Sequence, residues 1–209
     1  MSLGYWLKYQ SSVRVDMYTP KHFKSADRQS ELQLIADFPL ATIVHGGAAG
    51  LEANLIPLYW YDDGSELGVL RGHVARANPL WQQAGSELLV LFQSPSQYIS
   101  PGFYPSKARD PRVVPTWNYS AVQIHGQLKL IESGEALLQL LTEVTTRHEQ
   151  GQARPWLVSD APAPYLEKML AAIVGVEIQI QQQYGKFKQS QNQSAANQAG
   201  VRAALVARI

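Results

Sequence analysis

Residues 121–131, AVQIHGQLKLI, decide the fold class. Val122, Ile124, Leu128 and Leu130 fall on one side of an extended chain, and Gln123, His125, Gln127 and Lys129 on the other. That two-residue period belongs to a strand with one buried and one wet face, the signature of an antiparallel sheet. Working outward, LATIVH (40–45), LEANLIPLYWY (51–61), ELGVLRGHV (66–74), ELLVLFQ (87–93) and GVEIQIQQQYGKF (175–187) also read as extended. GGAAG (46–50) and DDGS (62–65) supply turns between them. Ser30 is a plausible N-cap for ELQLIADF, whose Leu32, Ile35 and Phe38 share a helical face until Pro39 interrupts. Residues 94–112 hold four prolines and three aromatics and read as a long loop. Segments 135–149 and 163–174 and the C-terminal SAANQAGVRAALVARI are helical. Short turns between strands, with helices as insertions, predict an α+β chain built on an antiparallel barrel with peripheral helices.

The chain has 209 residues, 45% hydrophobic and 17% charged, which suits one domain with a sizeable core. Its formal net charge of +1 gives no general attraction to nucleic acid or anionic membrane. Without cysteine there is neither a disulfide framework nor a thiolate metal site. Residues 1–16 look separate, an upstream extension or cloning remnant with Met17 as an alternative start, and 17–209 then form a single domain. The first sixteen residues lack the apolar centre of a signal peptide, and no apolar run reaches bilayer length, so a soluble cytoplasmic protein is expected.

RGHVARANPLW (71–81) is the most suggestive stretch for chemistry. Asn78 suits an N-cap, Pro79 the first helical position and Gly85 the stop, predicting a helix over about 79–84. The first turn offers free N–H groups to an anion. Arg76 adds a planar fork of donors, and His73, three residues earlier, another hydrogen bond. The competing reading leaves Arg71 and Arg76 solvated and Asn78 a mere cap. GGAAG is not followed by Gly-Lys-Ser/Thr, no GxSxG elbow occurs, and His22, His45, His73, His125 and His148 form no HExxH pair, so no metal centre is expected. Trp117 and Tyr119 share one side of an extended PTWNYSAV, suited to stacking on a flat ring or to core and subunit packing. Lys186 and Lys188 also share a side, to meet a phosphate or water. Beyond Glu177 the chain carries Lys186, Lys188, Arg202 and Arg208 and no acid, too weak a basic tail to argue DNA binding.

YTPKHF (18–23), GHVARANPLW (72–81), YISPGFY (98–104), VVPTWNY (113–119), AIVGVEIQI (172–180) and GKFKQSQN (185–192) occur in this order. Together they resemble the PaiB-like family of FMN-binding negative transcriptional regulators, from about Met17 to the C-terminus. Phe103 and Phe187 stand where many members have tryptophan, and Gln189 where an apolar residue is common. The resemblance implies a split β-barrel related to flavin reductases and pyridoxamine-phosphate oxidases, and a homodimer with FMN at the subunit interface. It implies that the FMN phosphate meets His73, Arg76 and the N–H groups near Asn78. Backbone groups of Asn54 and Leu55 would then bond the polar edge of the isoalloxazine, and Gln93 would reach the ring or ribityl chain. Trp117, Asn118, Tyr119, Lys186 and Ser190 would approach from the partner subunit. Two function classes follow: a regulatory FMN-binding protein, or a flavin-dependent oxidoreductase of the flavin-reductase or pyridoxamine-phosphate-oxidase kind. A haem-binding reading would need an axial ligand such as His45 or His125. With no helix-turn-helix and almost balanced charge, direct DNA binding is not expected.

Overall fold

The computed structural model describes residues 17–47 and 50–207. The expected N-terminal extension and the middle of the GGAAG turn lie outside the described residues. The strands are β1 (Leu40–Gly47), β2 (Gly50–Pro57), β3 (Tyr59–Tyr61), β4 (Val69–Ala75), β5 (Glu87–Gln93), β6 (Gln97–Ile99), β7 (Thr116–Ile131) and β8 (Ile173–Lys188). All pair antiparallel, in the order β2-β1-β5-β7-β8-β4-β3, with β6 added to β7.

β2 and β3 sit at the two ends of that order, yet only Leu58 separates them in sequence. One bent segment therefore borders both edges, and the sheet curls into a barrel. At the seam Gly72 of β4 lies against β2: a Cβ there would stand 2.5 Å from the Pro57 carbonyl oxygen. Inside, Ala41, Ile43, Val90, Phe92, Val122, Ile124, Leu128, Val176 and Ile178 form one apolar core. The alternation in 121–131 is real and extends back to Thr116, so the WNY motif belongs to the same sixteen-residue strand. The β7–β8 register shifts between His125 and Gly126, where Gln181 is the extra residue. Such a bulge bends the pair and helps the sheet to coil.

The helices are α1 (Arg28–Asp37), α2 (Gly134–Glu149), α3 (Ala163–Ala171) and α4 (Ala195–Val206). Asp27, not Ser30, caps α1, its carboxylate accepting from the Ser30 N–H at 2.8 Å. An acid three residues upstream with an extended backbone outcompetes a serine already inside the first turn. Leu34 and Ile35 are the apolar residues of α1 that are fully buried, with Leu32 and Phe38 packed beside them. α3 stops at Ala171, because Ile173 and Val174 are taken into β8 by pairing with β4. The proline-rich stretch 94–112 is not a bare loop: it contributes β6 and two 3-10 turns, Pro101–Phe103 and Pro105–Ala108. α4 docks on them through a small second core of Ile99, Tyr104 and Val201. The Asn197 side chain accepts from the Ser106 N–H at 3.2 Å. Among the described residues no helix is long and apolar enough to cross a membrane.

Candidate functional site

The expected site residues fall into two groups. The first surrounds the end of β4. Asn78 caps a 3-10 turn, Pro79–Gln83, rather than an α-helix, and its Oδ1 accepts from the Leu80 N–H at 2.9 Å. Gly85 has φ +88°, a left-handed stop. Asn78 Nδ2 donates to Asn54 Oδ1 at 2.8 Å, joining the loop after β4 to strand β2. Asn54 Nδ2 in turn lies 3.5 Å from Nε2 of the buried His45. Sequence spacing held no signal for that three-residue chain, which barrel closure alone brings together.

The guanidinium of Arg76 is partly committed. Its Nε donates to the Ala171 carbonyl at 2.8 Å and Nη2 to the Ile173 carbonyl at 3.0 Å, so it caps the C-terminus of α3. The group remains exposed, and a guanidinium has five N–H donors, so three stay available to an anion. Arg71 is not part of the cradle: it pairs with Glu177 at 2.8 Å and stacks over Tyr61 at 5.1 Å. His73 alternates with the buried Gly72 and Val74 and so faces outward from the barrel. Burial pushes its ring below the ordinary value of 6.5, keeping it neutral near pH 7. No partner for that ring is found among the described residues, so it keeps a donor and an acceptor for a ligand.

The second group gathers at the far end of β7 and β8. Trp117 is exposed and packs edge-on to Tyr98, centroids 5.7 Å apart. Lys186 Nζ donates to the Tyr18 carbonyl at 3.0 Å and sits 5.5 Å from the ring centres of both Tyr18 and Tyr119. Asn118 and Ser190 are buried, 5% and 4% exposed, and the Ser190 hydroxyl donates to Asn118 Oδ1 at 3.1 Å. Gln93 is exposed at the end of β5, beside Ala121 of β7.

The ladder that separates His73 from Tyr119 is long, whereas Asn54 shares a row with Ile124 through β1 and β5, and Gln93 and Lys186 both pair with Ala121. His73 pairs with Gly175, which pairs with Ile131, whereas Tyr119 pairs with Lys188. Tyr119 and Ile131 are twelve residues apart on one strand, roughly 40 Å at about 3.3 Å each. Across the face beside them, β1, β2 and β5 turn apolar side chains outward. Leu40, Leu51 and Leu55 are 57%, 83% and 65% exposed, and Val44, Leu89 and Leu91 line the same face half-buried. A hollow of about 580 Å³ beneath α1 involves none of the expected site residues and is flanked by Asp27 and Asp37, a poor setting for an anion.

The donor set fits a flavin mononucleotide: a guanidinium, an unpartnered imidazole and amides for a phosphate, and exposed aromatic and leucine surface for a tricyclic ring. Comparison with known proteins agrees in kind. A family model described as "Putative FMN-binding domain" matches residues 17–182. An uncharacterized protein of Emericella nidulans is 36% identical over 210 aligned positions, covering 81% of this chain and 82% of its own length. The Bacillus subtilis protein named "Protease synthase and sporulation protein PAI 2" is 30% identical over 187, covering 88% of this chain and 87% of its own. Among solved structures, the FAD and heme binding protein from Mycobacterium smegmatis matches with a TM-score of 0.59 at 19% identity, over 79% of this chain and 73% of that one. That last likeness concerns the fold alone.

Proposed function

Because this chain belongs to the PaiB-like FMN-binding family, we propose that it is an FMN-binding homodimer of the negative transcriptional regulator type, each flavin held between two copies. The observation that supports this most is the uncovered apolar face of β2, β1 and β5, bordered by the Asn54–Asn78 bond at one edge and by Gln93 at the other. A second copy laid antiparallel across the β2–β1–β5 face brings one group beside the other. That face carries the exposed leucines 40, 51 and 55, apolar surface of the kind that marks interaction sites. A two-fold dimer uses the same patch twice, so one apolar face suffices.

In this reading His73, the free donors of Arg76 and the loop at Asn78 hold the phosphate. The backbone of Asn54 and Leu55 borders the ring, and Gln93 reaches its polar side chain. Trp117, Tyr119 and Lys186 come from the partner, with Asn118 and Ser190 fixing the strand ends beneath them. When bound, the flavin would supply electron and hydride chemistry, and the chain supplies seating and exclusion of water. The regulatory role acts through flavin-dependent assembly or another protein rather than through direct DNA contact, since net charge is only +1.

The test is purification without added cofactor, a visible spectrum, mass spectrometry of the released ligand, and light scattering. Substoichiometric to full FMN on a dimer is the expected outcome. A flavin-loaded monomer would remove the shared site, and release of FAD or haem would remove the assignment to FMN.

A further inference from the structure

The turn that follows β8 carries a feature that its expected part in the flavin site does not explain. Ser190 has φ +61°, the sole positive φ at a non-glycine position among the described residues. Serine pays for a left-handed backbone that glycine adopts freely, and such outliers gather where a ligand is held. Several bonds fix the turn. The Gln189 side chain donates to Ser120 Oγ at 2.8 Å, the Gln193 N–H donates to the Ser190 carbonyl at 2.9 Å, and the Gln191 side chain donates to the Phe187 carbonyl.

Beside the turn lies a pocket of about 230 Å³ walled by Phe23, Tyr104, Thr116, Asn118, Lys188 and Ser190, among others. Its lining includes no acidic residue. Lys188 Nζ donates to Thr116 Oγ1 and stands 5.8 Å from the centre of the Phe23 ring. Among the described residues no carboxylate reaches ion-pair distance of it. Asn118 is buried with its Oδ1 occupied by Ser190, which leaves its Nδ2 donors without a partner among the described residues. Among the described residues the buried side-chain polar atoms without a partner are the Tyr61 hydroxyl and Gln183 Oε1, so Asn118 Nδ2 is open to the pocket, and with the Lys188 ammonium, which has no counter-ion there, it offers donors to an anion.

We propose that this pocket binds the anionic head, carboxylate or phosphate, of a small molecule other than the flavin. Lys188 supplies the charge, Asn118 Nδ2 the directed donor, and Phe23 and Tyr104 the walls for a short apolar body. All of these residues come from one chain, so the pocket can be filled without a partner subunit, although Asn118 and Ser190 also underlie the partner-side group of the proposed flavin site. The left-handed Ser190 holds Asn118 in place and is a positioning residue.

Inorganic phosphate and benzoate, titrated separately into the full-length protein at ionic strength held constant with chloride, test this. Amide signals of Ser190 and Asn118 are followed by nuclear magnetic resonance, with and without prior FMN loading. Saturable shifts are expected in both states. Lys188→Gln should weaken the apparent affinity at least tenfold, whereas Lys188→Arg, which keeps the charge and the fold, should retain it. Absence of saturable shifts, or an affinity that Lys188→Gln leaves unchanged, would overturn the proposal. If FMN abolished the shifts and Lys188→Gln weakened FMN binding, the pocket would be the seat of the flavin's own phosphate, and the separate site would be refuted. A protein that takes up no FMN but still shows the shifts would remove the flavin reading and leave this one standing.

Discussion

At the scale of single residues, His73 is the most sensitive reporter of the cradle. Its ring is pushed below 6.5 by burial. The charged form is therefore disfavoured in the folded protein. Its contribution to stability is complete above the unfolded value near 6.5 and declines as pH falls through that value toward the folded one. In flavin-free protein the His73 ring signal should titrate below 6.5. An FMN phosphate beside it favours the charged form, so the titration should move upward on loading. A His73 that titrates at or above 6.5 without flavin, or that ignores FMN, would be inconsistent with the cradle. Arg76→Ala should weaken FMN by about 1.5–3 kcal/mol, the range for hydrogen bonds to a charged group. Riboflavin, which lacks the phosphate, should bind both proteins alike; a loss equal to that of FMN would trace the effect to the α3 carbonyls that Arg76 also holds. Sequence revealed the residue types of this cradle, because an N-cap and a Pro are local signals. It hid the commitment of Arg76 to Ala171 and Ile173, and the Asn54–Asn78 bond, because both depend on strands distant in sequence. The left-handed Ser190 was equally invisible, since nothing local favours φ > 0 at serine.

At the scale of elements, the barrel depends on the seam between β2 and β4. Gly72→Ala places a methyl group 2.5 Å from the Pro57 carbonyl oxygen and 2.8 Å from Leu58 Cδ2. Overpacking of this kind costs about 1–3 kcal/mol, and in a chain of this size each kcal/mol lowers Tm by roughly 2–4 °C. Gly134→Ala at the start of α2, where nothing lies within 4 Å, is the matched control and should leave Tm nearly unchanged. Thermal denaturation followed by circular dichroism compares the two; equal Tm values would mean that the seam is looser than described. Most strands were legible from alternation and turn residues, with ELLVLFQ matching β5 end to end. The boundaries that moved did so for tertiary reasons. β8 took Ile173 and Val174 from the expected helix, and docking of α4 ordered the proline-rich stretch into β6 and two 3-10 turns.

At the scale of the whole molecule, the uncovered leucine face and the split site make one claim: the functional unit is two chains. Leu55→Glu places a charge on an exposed strand position outside the core, so the variant should fold, remain monomeric by light scattering and lose FMN. A Leu55→Glu dimer with full flavin would move the interface elsewhere. Complementation tests the central claim most directly. Arg76→Ala disables the first group and Lys186→Ala the second, so each homodimer should be depleted of FMN. If a site takes its first group from one chain and its second from the other, a mixed dimer contains one intact site. Equal parts of the two variants, unfolded and refolded together, should therefore recover about a quarter of the wild-type FMN content by absorbance after dialysis, since half of a random mixture is mixed dimer. Recovery no greater than that of either variant alone would contradict the shared site and place each flavin within a single chain.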